Sequence, residues 1–162
     1  MRKVNLNEIK EQPWQSPGGK YVVFFKGISE ALGREPTSLD LSKRHAFDLE
    51  WTRVPPGKPN FPYHAHSAQW ELYLVISGNG TVRHKDGRTE VGPGDAFVFG
   101  PDEPHQIINS GSEDLVYYVV ADNPIGESCY YPDSGKWKMN KSSAADRVVI
   151  KGQETDYFDG EE

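Results

Sequence analysis

Apolar and polar residues alternate with a period of two along much of the chain, in short stretches interrupted by glycine and proline. That rhythm predicts β-strands with one buried face, because successive side chains on an extended backbone point to opposite sides. Residues 20–25 form the first strand-like run. Residues 47–53 alternate strictly, which puts Phe47, Leu49, Trp51 and Arg53 on the face expected to be buried and Asp48, Glu50 and Thr52 on the other. Arg53 on an apolar face needs a partner, either a structural carboxylate or a bound anion. Further on, Glu71, Tyr73 and Val75 oppose Leu72, Leu74 and Ile76, and Gly78, Asn79 and Gly80 read as a tight hairpin into a partner strand at 81–85. Strand-like segments at 89–91, 96–99, 105–109 and 115–121 then follow, separated by turns rich in Gly, Pro, Asn and Asp. Strands this short and evenly spaced predict an all-β fold, an antiparallel sandwich or barrel.

The flanks are less regular. Residues 1–19 are polar and end in a turn, with Trp14 expected as a lid or edge residue; residues 28–42 read as a loop with one helical turn at 28–32. Residues 122–140 are expected to wrap the barrel as irregular chain with aromatic anchors, and 147–151 to add a strand to a sheet edge of this molecule or its neighbour. The acidic end, 156–162, is expected to be partly mobile, although Tyr157 and Phe158 could dock. No repeat or linker divides the sequence. The expectation is one domain over 1–162, a barrel at about 45–122 with irregular extensions at 1–44 and 123–162.

Composition narrows the partners. At 162 residues the chain is long enough for one core without disulfides, and 4 Trp, 8 Tyr and 7 Phe supply bulky core material despite a mean hydropathy of -0.69. A net charge of -6 and a pI near 5.4 argue against nucleic-acid or anionic-membrane partners, which require a basic footprint. Cys129 is the single cysteine, so no intrachain disulfide forms. The amino end lacks an apolar signal region and no apolar run approaches a membrane span. A cytoplasmic location is the expectation.

Candidate chemistry concentrates in His64, His66 and Glu71, answered further on by His105. On a strand His64 and His66 present both imidazoles on one side. A kink at 67–69 could return Glu71 to that side, and His105 adds a third nitrogen if its strand folds back. Such a mixed set suits a divalent transition metal, with coordination positions left open for a substrate.

These residues resemble the motifs of the cupin superfamily. Gly57, His64, His66, Glu71 and Gly78 look like the first cupin motif, and Gly94, Asp95, His105 and Asn109 like the second. One more residue than usual separates Gly57 from His64, Gly100 stands where the family usually has proline, and Asp102 where it usually has glycine. These departures affect turns and leave the four ligand positions untouched. The resemblance implies a double-stranded β-helix, the jelly-roll cupin barrel. It also implies a metal held by His64, His66, Glu71 and His105 in its mouth, and frequently a homodimer. The segment 130–137 looks like a feature of small bacterial cupins, many loosely labelled sugar-phosphate isomerases.

Blander readings apply elsewhere. His45 and His84 have no ligand neighbours in sequence and read as ordinary histidines; Cys129 reads as a buried filler. Tyr63, Trp70 and Tyr73 are core or rim aromatics first and substrate-stacking surface second, so Tyr73 and Arg53 stand only as weak substrate contacts. Asn109 reads as a buttress. Two functions fit. One is a metal-dependent enzyme, an isomerase of the sugar-phosphate type or a dioxygenase, using iron, manganese, zinc or nickel on a small oxygen-rich metabolite. The other is a non-catalytic module binding or sensing a small ligand in the same pocket. No residue stands out as the catalytic base, no organic cofactor is indicated, and residues 1–44 lack the apolar period of a DNA-binding helix pair.

Overall fold

The computed structural model describes residues 1–36, 38, 40, 42–143, 146–152 and 154–160, with the side chains of 140–143 and 146 left aside. A single 3-10 turn (Leu6–Glu8) leads to β1 (Gln12–Gln15), β2 (Val22–Gly27), the one-turn helix α1 (Ile28–Ala31) and β3 (Phe47–Val54). Then come β4 (Ala65–His66), β5 (Glu71–Ser77), β6 (Gly80–His84), β7 (Gly87–Val91), β8 (Ala96–Phe99), β9 (His105–Ile108) and β10 (Leu115–Asp122). After these, β11 (Cys129–Tyr131), β12 (Lys136–Ser143) and β13 (Asp146–Lys151) close the described chain. One sheet has the order β1-β2-β3-β10-β5-β8; β7-β6-β9 and β13-β12-β11-β4 form the others. A two-hydrogen-bond bridge between the backbones of His64 and His105 (3.1 and 2.8 Å) links the two smaller sheets. The result is the double-stranded β-helix, with every strand pair antiparallel among the described residues.

The inward residues change character along each strand. On β10 they run from Leu115 and Tyr117 to Val119 and Ala121; on β5 from Val75 through Tyr73 to Glu71; on β3 from Val54 through Thr52 to Glu50 and Asp48; on β9 from Ile107 to His105. Cross-strand register aligns these series, Thr52 with Tyr117 and Val75, and Glu50 with Val119 and Tyr73. Val23, Val54, Val75, Val82, Val91, Ile107, Leu115 and Tyr117 thus pack one end as an apolar plug. The other end is a polar mouth. Burial of the plug drives collapse, and the mouth rides on strands that the plug already holds.

The structure corrects several sequence expectations. The face of β3 that lies inside carries Thr52, Glu50 and Asp48, and Phe47 is 54% exposed, the reverse of the expected arrangement. Alternation reveals that two faces differ; it cannot say which one looks into a cavity that is polar at one end. Gly78–Gly80 is not a hairpin either, because β5 pairs with β8 and β10 while β6 pairs with β7 and β9. The chain crosses between sheets there. A Cβ on Gly78 would meet the Asp114 carbonyl oxygen at 2.3 Å, and one on Gly80 the Leu115 side chain at 2.6 Å, so these glycines serve close approach. The extensions are irregular only in part: β1 and β2 lengthen the large sheet, β11 lies in the 122–140 segment and β12 begins there, and β13 pairs with β12 in the same molecule. The helical turn falls at Ile28–Ala31, whereas parts of the 28–42 loop and of the acidic end, residues 37, 39, 41, 161 and 162, lie outside the described residues. Tyr157 is 85% exposed and does not dock on the barrel.

Asn109, fully buried after β9, acts as the expected buttress. Its side-chain amide donates to the carbonyls of Val54 (2.7 Å) and Glu113 (2.8 Å) and its oxygen accepts from Gly111 N–H (2.9 Å). Asn109→Leu leaves those backbone groups unpaired and should cost about 2–4 kcal/mol in urea unfolding; an unchanged midpoint would contradict this reading.

Candidate metal centre

His64 sits just before β4, His66 ends it, Glu71 opens β5 and His105 opens β9. A bend at Ser67 and Ala68 turns the chain so that Glu71 faces the same point as the two histidines. One potential ligand atom from each of the four side chains lies within 4.8 Å of the others. His66 and His105 are buried.

The hydrogen bonds fix which ring nitrogen faces inward. His64 Nδ1 lies 2.8 Å from the Pro62 carbonyl and His105 Nδ1 3.0 Å from the Glu103 carbonyl. A carbonyl only accepts, so both Nδ1 atoms carry the proton and both Nε2 atoms offer a lone pair. His66 Nδ1 donates likewise to Glu127 Oε1 at 3.2 Å. Its Nε2 is buried without a hydrogen-bond partner, 3.6 Å from Glu71 Oε1. His105 Nε2 stands 2.8 Å from Glu71 Oε2, which also accepts from the Tyr73 hydroxyl at 2.6 Å. Lone pairs and a carboxylate therefore face one another in a buried space, an arrangement that requires a shared cation. An orphaned imidazole nitrogen, two more of the same tautomer and an anionic oxygen are the donor set expected of a divalent transition-metal site.

Titration follows from the same crowding. Burial, with His105 and His66 alongside, pushes His64 down to about 3. For His66, burial acts downward but is outweighed by hydrogen bonds to Cys129 and Glu127 and the Glu71 charge, raising it to about 10. Burial opposes ionisation of Glu71, yet the His105 hydrogen bond and the charges of His66 and His105 hold it far below the usual carboxylate range. Aromatic walls fix the rings: Phe99 stacks on His105 with centroids 4.3 Å apart, and Tyr131 lies parallel to His64 at 6.0 Å.

The centre lines a cavity of about 640 Å³. Trp14, tilted against Phe61 with ring centroids 5.0 Å apart, walls it from edge strand β1, while Lys136, Lys138 and Arg147 line it from β12 and β13. Glu50, which sequence reasoning had placed outside, also faces it. Its Oε1 accepts from Thr52 Oγ1 at 2.9 Å. Burial raises Glu50 to about 7, opposed by the Thr52 hydrogen bond and reinforced by the charges of Asp48, Glu30 and Glu71. Tyr73 lines the cavity with its hydroxyl committed to Glu71. Arg53 does not reach it. Its guanidinium lies over the Phe24 ring and donates to Glu11 (2.8 Å) and Asp114 (2.9 Å), so the structural-carboxylate alternative holds and the substrate contact is withdrawn. Cys129 is buried as expected, but beside the centre, with its sulfur 3.6 Å from His66 Nδ1.

Fold and site define a class of protein: a double-stranded β-helix whose mouth carries histidines and a carboxylate. Residues 50–121 match the family model of the cupin domain. Over 69 residues the chain is 32% identical to the oxalate-binding protein of Thermotoga maritima, a match spanning 42% of this chain and only 55% of that protein's length. Among solved structures, a sugar phosphate isomerase of the cupin superfamily from Silicibacter pomeroyi superimposes with a TM-score of 0.75 at 19% identity, covering 96% of this chain and 97% of that one. A provisionally assigned sugar phosphate isomerase from Acidithiobacillus ferrooxidans gives 0.75 at 22% identity, covering 90% and 86%. At such identities the superpositions establish the fold. Among the described residues no helix is long and apolar enough to cross a membrane.

Glu50 offers a test by pH. Its folded pKa exceeds the unfolded value, so its contribution to stability is present below the ordinary carboxylate value of 4.5 and is lost as pH rises through about 7. Glu50→Gln removes that loss and should unfold at higher urea than the wild type at about pH 8, by roughly 1–3 kcal/mol, with the gap closing near pH 4.5. Parallel stability profiles would show that Glu50 is not a desolvated carboxylate.

Proposed function

We propose that the protein is a metal-dependent enzyme acting on a small, oxygen-rich, anionic metabolite, with proton-shuttling isomerisation of the sugar-phosphate type as its reaction. The observation that carries the reading is the convergence of three Nε2 lone pairs and the Glu71 carboxylate at the floor of an open cavity. His64, His66, Glu71 and His105 would hold iron, manganese, zinc or nickel. Bound there, the ion supplies Lewis acidity to a chelated hydroxyl-carbonyl or carboxylate group. Glu50, titrating near neutrality on the cavity wall, is suited to take a proton from one carbon of the metabolite and return it to the next. Lys136, Lys138 and Arg147 give the rim a positive side that favours an anion. Tyr73 orients Glu71 through its hydroxyl.

A second reading draws on the oxalate-binding relative: the same centre binds a small carboxylate without turning it over. The two differ at Glu50, which binding alone does not require. We also read residues 1–162 as one cupin domain that works in the cytoplasm as a homodimer. Leu72, Leu74, Ile76 and Val98 stand on the outer face of β5 and β8, 42–51% exposed, and form a patch suited to a second copy.

Protein purified without added metal should carry about one transition-metal ion per chain by elemental analysis, and His64→Ala with His66→Ala should remove it; full occupancy in that variant would refute the ligand assignment. In D₂O the loaded protein should exchange a carbon-bound proton of an aldose or ketose phosphate. Glu50→Gln should slow that exchange by about 10²–10⁴-fold with metal content unchanged. Tight binding of oxalate or a sugar phosphate without exchange would favour the binding module. Light scattering should give the mass of a dimer, and Leu74→Asp a monomer; a monomeric wild type would remove the assembly from the proposal.

A further inference from the structure

Residues 126–129, at the end of the connection from β10 and the start of β11, lie beyond the part of the chain that matches the cupin domain, yet they touch the centre. The Glu127 carboxylate is engaged on both oxygens. Oε1 accepts from His66 Nδ1–H (3.2 Å) and from the Ser67 backbone N–H (3.1 Å), and Oε2 from the Ala68 N–H (3.1 Å). Ser67 N–H also reaches the Ser128 carbonyl (2.9 Å), and Ser67 Oγ accepts from Ser128 N–H (3.0 Å). Cys129 then pairs with His66 in the β11–β4 ladder.

Resting on the metal-binding reading above, we infer that Glu127 is a positioning residue that keeps His66 Nε2 aimed at the centre and holds the bend between His66 and Glu71. The physical case is direct. An imidazole can expose Nε2 as a lone pair only if its proton stays on Nδ1, and a buried carboxylate is the strongest acceptor available to keep it there. His64 and His105 use backbone carbonyls for the same purpose, so His66 is the histidine whose orientation depends on a charged side chain. The two backbone N–H groups that Glu127 collects belong to the residues separating His66 from Glu71. Removing the carboxylate therefore frees a ring and a turn at once.

The test uses the full chain stripped of metal and titrated with Co²⁺ and Zn²⁺ against a chromophoric chelator. Glu127→Ala should bind about 10–100-fold more weakly than wild type, and Glu127→Gln, which keeps the shape and one acceptor, should recover part of the loss. By NMR, the slowly exchanging Nδ1–H resonance of His66 should be present in the wild type and absent from Glu127→Ala. That signal requires no metal, so it decides the positioning role even if the wild type binds neither ion, a result that would sink the metal reading instead. Unchanged affinity together with an unchanged Nδ1–H resonance in Glu127→Ala overturns the inference. So does binding of a second Co²⁺ with a thiolate-to-cobalt absorption lost in Cys129→Ser, because Glu127 and Cys129 would then be ligands themselves.

Discussion

Everything in the mouth of this barrel answers to one electrostatic demand: three imidazole lone pairs and a carboxylate, withdrawn from water, must share a positive charge. Stripping a carboxylate of solvent costs several kcal/mol, and its attraction to a cation repays that only when the remaining hydrogen-bonding capacity is also satisfied. The surroundings meet this second condition. Pro62, Glu103 and Glu127 take the outward ring protons, Tyr73 donates to Glu71, and Phe99 and Tyr131 fix ring planes. A proton can supply the charge, as the elevated affinity of His66 shows, and a divalent ion can replace it. On the proposed metal-binding reading, protons and a metal ion would compete for this one position.

The plug of valines, leucine and tyrosine at the opposite end holds the strands that carry these groups, and flanking segments complete the walls. Arg83 bonds Asp133 through two nitrogens (2.7 and 2.8 Å) and covers the Tyr63 ring at 3.8 Å, tying the turn before β12 to β6. Arg34 reaches Asp48 at 2.9 Å from the loop after α1. The largely exposed Arg83–Asp133 pair contributes little to stability by itself, and both pairs set where a flanking element lies.

Much of this was legible in the sequence, for identifiable reasons. His64, His66, Glu71 and His105 stand at spacings that a period-two backbone converts into a shared direction, and turn residues marked the strand ends. Three things were not legible. The inward face of β3 was misjudged, since a barrel with a polar mouth inverts the usual equation of apolar with inside, and Glu50 went unnoticed with it. Gly78 and Gly80 imitate a hairpin, although their role is to let backbone and Leu115 approach closely. Glu127 lies in a stretch with no periodicity, and its importance comes from a contact across 61 positions of chain that local pattern cannot encode.

The passage from aliphatic to polar side chains along β3, β5, β9 and β10 has a further consequence. Strand ends that secure folding are physically separate from strand ends that carry the candidate site, so selection can act on the two nearly independently. Replacing Glu50, Asp48 or the cations of β12 and β13 changes the lining of the cup while Val54, Val75, Ile107 and Leu115 go on holding it closed. Stability thereby becomes a reserve against which new specificities can be tried.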